Sequence, residues 1–144
     1  MPVPPPPPGS CDCQFHIYEE PGKFPPRANP PYPPIESATF AAAQNMHQAI
    51  GFNRGVIVHS AIYGSDHRLL LNALERLDDI GRYRGIGIVD DSVSDNELAR
   101  LHAAGVRGAR FNFVRFLTLD QREAEVSRSI ARIHELGWHA RLHV

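Results

Sequence analysis

Apolar positions along this chain alternate between two spacings, the two-residue period of strands and the three- or four-residue period of helices. Leu70, Leu74 and Leu77 follow the helical period, and Ser65 is predicted to cap that helix. Ser94 and Glu97 have the spacing of a capping box. The pattern predicts strands at 11–18, 55–61, 85–89, 108–114 and 139–144, and helices at 38–50, 66–80, 94–104 and 120–136.

Strict alternation of strand and helix predicts parallel strands joined by right-handed crossovers. An open doubly wound sheet and a closed barrel both satisfy that order. A complete (β/α)8 barrel needs about 250 residues, and this chain has 144. The fold class expected is therefore α/β, with either an open sheet or a partial TIM-type barrel of about five strands and four helices.

Two proline-rich segments interrupt this regular pattern. Residues 1–10 are expected to form an extended, disordered tail, so the folded domain is expected at 11–144. Residues 21–34 contain too many prolines for a helix or a central strand, and we expect a loop across the face of the domain.

Side-chain alternation predicts that polar groups line the face of the sheet opposite the helices. The side chains expected on that inner face are Asp12, Gln14, His16, Tyr18, His59, Arg110, Asn112, His139, Arg141 and His143. Those expected on the helix-covered face are Cys11, Cys13, Phe15, Ile17, Val56, Val58, Ala109, Phe111, Phe113, Ala140, Leu142 and Val144. Burying a polar group without a partner costs about 1–3 kcal/mol, so such a lining favours a functional site at the strand ends. The alternative is that these groups only bond to one another.

Composition excludes some classes of function. A formal net charge of −1 gives no broad basic surface for nucleic acid, and Lys23 is the only lysine beside many arginines. No apolar run reaches the roughly 20 residues that a membrane span needs, and the start of the chain lacks a signal-peptide pattern. We therefore expect a cytoplasmic protein. Cys11 and Cys13 lack the second half of a zinc site and are expected to be buried strand residues.

Several of these residues suggest specific chemistry. Three histidines, His16, His59 and His143, fall at strand ends, where neutral imidazoles suit a divalent metal such as zinc. Arg110 and Arg115 are candidates for a carboxylate clamp, with the alternative that Arg115 is solvent-exposed. The turn 63–66 either holds an anion at a helix N-terminus or is an ordinary glycine turn. Asp90 and Asp91 are consecutive and are expected to form a turn.

The motifs resemble one family over nearly the whole chain after residue 10. Residues 11–16, Cys-Asp-Cys-Gln-Phe-His, resemble the first-strand Asp-x-His-x-His motif of amidohydrolase-related enzymes (the amidohydrolase 2 type). The most specific match is residues 101–113, and further matches are residues 31–34, 58–66, 84–86, 93–95 and 136–139. The group most similar is that of the 2-pyrone-4,6-dicarboxylate lactonases and related lactone hydrolases.

This resemblance implies a TIM barrel and hydrolysis of a cyclic ester, with water activated by an aspartate at the end of the eighth strand. It implies substrate binding by Tyr32, Tyr63, Ser65 and Arg110, and it makes His16 the second histidine of the first-strand motif. Some relatives need no metal and others use zinc, so His16 is also the candidate metal ligand. The remaining substrate-binding candidates are His59, Asn112, Arg115 and His143.

Two departures from the family pattern matter. Gln14 stands where the first histidine is expected, and an amide hydrogen-bonds a substrate but ligates zinc poorly. Five predicted strands also leave out the eighth-strand aspartate. Two hypotheses follow: a lactonase-like hydrolase with catalytic candidates His16 and Gln14, inactive or weakly active as 144 residues, or a catalytically degenerate half-barrel that binds a carboxylate or closes a barrel as a homo-oligomer.

Overall fold

The computed structural model describes residues 4–77, 82–114 and 123–144. The strands are β1 (Cys11–Phe15), β2 (Arg54–Val58), β3 (Tyr83–Gly87), β4 (Val106–Asn112) and β5 (His139–His143). The helices are α1 (Phe40–Ile50), α2 (Arg68–Glu75), α3 (Asp95–Ala103) and α4 (Glu123–Glu135), and a single 3-10 turn covers Ala61–Tyr63. All predicted elements are present, and β3 and β4 begin two residues earlier than the pattern indicated. Residues 78–80, at the predicted end of the second helix, and 120–122, at the predicted start of the fourth, lie outside the described residues.

The five strands form one parallel sheet in the order β1-β2-β3-β4-β5. Each helix follows one strand and precedes the next, as right-handed crossovers require. Side chains of the two edge strands meet across the sheet, where Gln14 of β1 accepts a hydrogen bond from Arg141 of β5. The sheet is therefore curved into a half-barrel, which confirms the predicted fold class.

The hydrophobic core lies between the sheet and the helices. Ile57, Val106 and Phe111 from the strands pack in one cluster with Leu70 and Leu74 from α2. Burying a leucine or phenylalanine side chain stabilises the fold by roughly 1.5–3 kcal/mol. Gly85 has room for no side chain here, since an added Cβ would lie 3.0 Å from Leu74. The face of the sheet that points away from the helices is the inner face.

Helix starts follow the side chains available for capping. Ser94 caps α3 by accepting a hydrogen bond from the Glu97 N–H at 3.2 Å, as predicted. The Ser65 prediction is wrong: α2 begins at Arg68 after His67, and the Ser65 hydroxyl bonds to Ser92 instead. Asp66, one residue closer to the helix, accepts a hydrogen bond from the N–H of Arg68, the first residue of α2, at 3.1 Å.

The predicted facing of β1 needs correction at its start. The pairing with β2 shifts between Asp12 and Phe15, so these two residues both contact His47 of α1. Asp12 therefore faces the helix rather than the inner face. The cysteine expectation is also wrong, since Cys11 is half-buried and Cys13 is exposed on this edge strand.

Apolar side chains expected to be covered are exposed near β5. Phe113 is 46% exposed, Leu142 57% and Val144 90%. β5 is the edge of the sheet, so fewer described elements cover its outer side than cover the central strands. Among the described residues, no helix is both long and apolar enough to cross a membrane.

Within residues 4–10, side-chain and backbone groups contact the folded domain. Arg54 donates to the Gly9 carbonyl, and Pro6 lies against Gly51 at the end of α1. The mobility of this segment stays a prediction.

Candidate functional site

Arg110 is the central residue of the inner face. It lies near the carboxyl end of β4 and is only 4% exposed. Its Nε donates to Asn112 Oδ1 and its Nη2 donates to His143 Nδ1, each at 2.6 Å. A guanidinium only donates, so Nδ1 of His143 carries the lone pair and the imidazole is neutral with its proton on Nε2. The structure thus brings three predicted site residues into one hydrogen-bonded group.

Two donors of this group have no partner within the described chain. They are Nη1 of Arg110 and Nδ2 of Asn112, and both atoms are buried. Leaving a buried donor unsatisfied costs about 1–3 kcal/mol. Asp12 is the only carboxylate in the five strands, and it bonds to His47 on the other face. Both atoms are N–H donors, the kind of group from which a carboxylate accepts hydrogen bonds.

His16 lies beside this cationic group. Its Nδ1 is 2.7 Å from the Val58 carbonyl oxygen, which only accepts, so Nδ1 carries the proton. Nε2 is consequently an acceptor. Burial lowers the pKa of His16 below its ordinary value, and the charges of Arg110 and Arg141 lower it further. The ring is therefore neutral at pH 7 and able to take a proton.

The inner face also includes side chains of the two edge strands, β1 and β5. Gln14 accepts a hydrogen bond from Arg141 Nη2, and Arg141 pairs in register with Arg110 on the neighbouring strand. Burial, followed by Arg110 and Arg141, lowers the pKa of His143. Histidines and arginines thus share a positive environment that favours neutral imidazoles.

A group of hydroxyls lies next to Arg110. The Tyr32 hydroxyl is 3.0 Å from Ser60 Oγ, and Tyr18 bonds to the same serine. Burial raises the pKa of Tyr18 to about 12, so it is a neutral donor. Tyr32 and Tyr18 are both close enough to Arg110 to affect its pKa. Sequence reasoning placed Tyr18 on this face without nominating it and missed Ser60, whose position two residues after the end of β2 was the available signal.

Other predicted site residues lie elsewhere. His59 stacks on Tyr63 at 5.7 Å and lies 5.1 Å from the His67 ring, on the helix-facing side. Ile57 packs in the core with Leu70 and Leu74 of α2, so alternation puts Val58 on the inner face and His59 on the helix side, and the predicted orientation of His59 is wrong. Ser65 bonds to Ser92, away from Arg110. Arg115 lies outside the described residues.

The residues present do not fit a divalent metal. No group of three histidine, cysteine or carboxylate side chains comes together anywhere in the described ranges. Gln14 offers an amide already bonded to Arg141, and Nδ1 of His143 accepts from Arg110, which leaves Nε2 of His16 as a single imidazole lone pair among these inner-face residues. Two neighbouring guanidinium groups would repel a cation at this point. These donors suit an anion instead.

Comparison with known proteins identifies the family of this chain. The model of the family described as Amidohydrolase matches residues 11–144. The chain belongs to the amidohydrolase family. One curated amidohydrolase relative, 2-pyrone-4,6-dicarboxylate hydrolase of Comamonas testosteroni, is 36% identical over 92% of this chain and 43% of its own length. Another, 4-sulfomuconolactone hydrolase of Hydrogenophaga intermedia, is 35% identical over 74% of this chain and 34% of its own.

A solved structure shows the same fold. The putative 2-pyrone-4,6-dicarboxylic acid hydrolase from Pseudomonas putida superposes with a TM-score of 0.74 and 29% identity, over 92% of this chain and 47% of that one. The chain thus spans less than half the length of these amidohydrolase relatives.

Proposed function

We propose that this chain forms the substrate-binding part of a lactone hydrolase that acts on a cyclic ester carrying a carboxylate. The observation that carries the proposal is the buried Arg110–Asn112–His143 group with two unpaired donors. The names of the curated relatives, a pyrone dicarboxylate hydrolase and a sulfomuconolactone hydrolase, support the same substrate class.

In this proposal Arg110 and Asn112 bind one carboxylate of the substrate. A charge-assisted hydrogen bond from a buried guanidinium is worth about 1.5–3 kcal/mol. Tyr32, together with Tyr18 and Ser60, closes the side of the site toward β2. These groups hold the ring so that the ester carbonyl faces the inner surface near His16.

Hydrolysis adds water to that carbonyl. The water oxygen bonds to the carbonyl carbon, the ring C–O bond breaks, and a proton passes to the departing alkoxide to give a ring-opened hydroxy acid. His16 Nε2 is a neutral acceptor placed to take a proton from the water. The family resemblance assigns the main base to an eighth-strand aspartate, and the five strands of this chain do not include one.

The test is titration of the 144-residue chain with 2-pyrone-4,6-dicarboxylate and with unsubstituted 2-pyrone, followed by calorimetry. We expect the dicarboxylate to bind and the neutral pyrone not to bind, and Arg110→Met to abolish binding. Hydrolysis by this chain should be weak or absent. Equal binding of both pyrones, or binding that survives Arg110→Met, would overturn the proposal.

A second candidate is a half-barrel that binds carboxylates and self-associates. The exposed apolar side chains of the β5 edge, Leu142 and Val144, favour it, because bare edges invite pairing. Light scattering tests it: a monomer at high concentration would contradict it.

We propose the cytoplasm as the location of this protein. The free thiols of Cys11 and Cys13 agree with that reducing compartment.

A further inference from the structure

Arg141 and Arg110 form an unusual pair on the inner face. They are register partners on neighbouring parallel strands, and alternation points both side chains to the same side. Like charges at such positions destabilise a sheet unless something neutralises them. Neither arginine has a carboxylate partner within the described ranges, although the exposed Arg68, Arg100 and Arg128 and the half-buried Arg132 all have one.

The two guanidinium groups have different hydrogen-bond partners. Arg110 bonds to Asn112 and His143 at the carboxyl end of β4. Arg141 reaches across the inner face to Gln14 of β1. One anion held by Arg110 would therefore leave the charge of Arg141 unbalanced. This arrangement calls for two anionic groups on one ligand rather than one.

We infer that Arg141, oriented by Gln14, is a specificity-determining residue that binds a second acidic group of the substrate. This inference rests on the proposed function and adds to it the residue that would bind the second acidic group. Gln14 positions Arg141, because its Oε1 accepts from one Nη and leaves the other donors of the fork for the ligand. A histidine at position 14, as in the family motif, has a single acceptor nitrogen. It could not accept from Arg141 if that nitrogen had another partner.

The experiment uses two ligands that cannot be hydrolysed, isophthalate with two carboxylates and benzoate with one. Calorimetry compares the unmodified chain with Arg141→Met, Gln14→Ala and Arg110→Met, and a thermal melt of each variant checks folding. The control is Arg100→Met, since Arg100 is an exposed arginine on α3 paired with Glu75.

We expect Arg141→Met to weaken isophthalate binding about tenfold or more and to leave benzoate binding within about twofold. Gln14→Ala should give a smaller loss for isophthalate alone, and Arg141→Lys should rescue only part of it. Arg110→Met should abolish binding of both ligands, and Arg100→Met should change neither.

The outcomes separate the two proposals. If the unmodified chain binds neither ligand, the proposed function fails. If it binds both equally well, or if Arg141→Met weakens both by the same factor, Arg141 does not select a second acidic group and only this inference fails.

Discussion

Gln14 in β1 accepts a hydrogen bond from Arg141 in β5, although the two residues are 127 positions apart and lie on opposite edges of the sheet. The contact exists because the sheet is curved enough for long side chains to meet across its inner face. It uses one of the two lone pairs of the Gln14 amide oxygen. The position that aligns with a histidine of the family motif is therefore used here to hold a guanidinium.

This arrangement predicts that carboxylate binding needs no metal. Treatment with EDTA should leave the affinity for isophthalate unchanged, and zinc should bind the unmodified chain only substoichiometrically, because an amide bonded to Arg141 is a poor ligand. Gln14→His should raise zinc affinity, and adding His16→Ala should reverse that gain. A loss of isophthalate binding after EDTA would contradict the prediction.

Asn112→Asp should weaken carboxylate binding at least about tenfold without lowering thermal stability. The new carboxylate would accept from Arg110 in place of the amide oxygen, so it would neutralise the guanidinium and repel the ligand. Calorimetry and a thermal melt measure the two effects. Asn53→Asp, at an exposed position, is the control and should change neither. Unchanged affinity in Asn112→Asp would argue against Arg110 as the carboxylate ligand.

His59 should make the stability of the fold depend on pH. Burial, with His67 as the next cause, lowers the pKa of His59 to about 3 from its ordinary value of 6.5. The unfolded chain therefore binds a proton that the folded chain excludes. The stability from the neutral ring is complete above pH 6.5 and falls by about 1.4 kcal/mol per pH unit as pH drops toward 3.

Urea unfolding at a series of pH values measures this slope. His59→Gln should reduce it by about one proton's contribution, whereas His134→Gln on the exposed side of α4 should leave it unchanged. Other histidines with lowered pKa, His16 and His143, will keep part of the slope. Identical slopes in the unmodified chain and His59→Gln would show that the buried ring is not the cause.

Gly108→Ala should destabilise the β4–β5 pair by roughly 1–3 kcal/mol. An added Cβ would lie 2.5 Å from His139 Cε1, so the imidazole covering this glycine would have to move. Adding His139→Ala should recover most of the loss, because it removes the clash. Gly22→Ala, where no atom lies within 4 Å, is the matched control. A thermal melt in which the double variant is no better than the single one would refute this packing.

The sequence by itself determined the order of strands and helices and the parallel sheet. Those follow from local periodicity, such as the leucine spacing of α2 and the Ser94 cap of α3, which need no distant partner. It also identified Arg110, Asn112 and His143 as inner-face residues, because the pairing of β4 with β5 is regular from Gly108 to Asn112.

Only the tertiary structure decided which groups act together. The register shift in β1 turned Asp12 toward His47, and packing chose Ile57 rather than Val56 and Val58 as the helix-covered side of β2, which puts His59 beside His67. Curvature of the sheet brought Gln14 to Arg141, and a loop brought Tyr32 to Ser60. These pairings join residues far apart in the chain, and their geometry depends on how the strands slide, bend and pack rather than on local spacing.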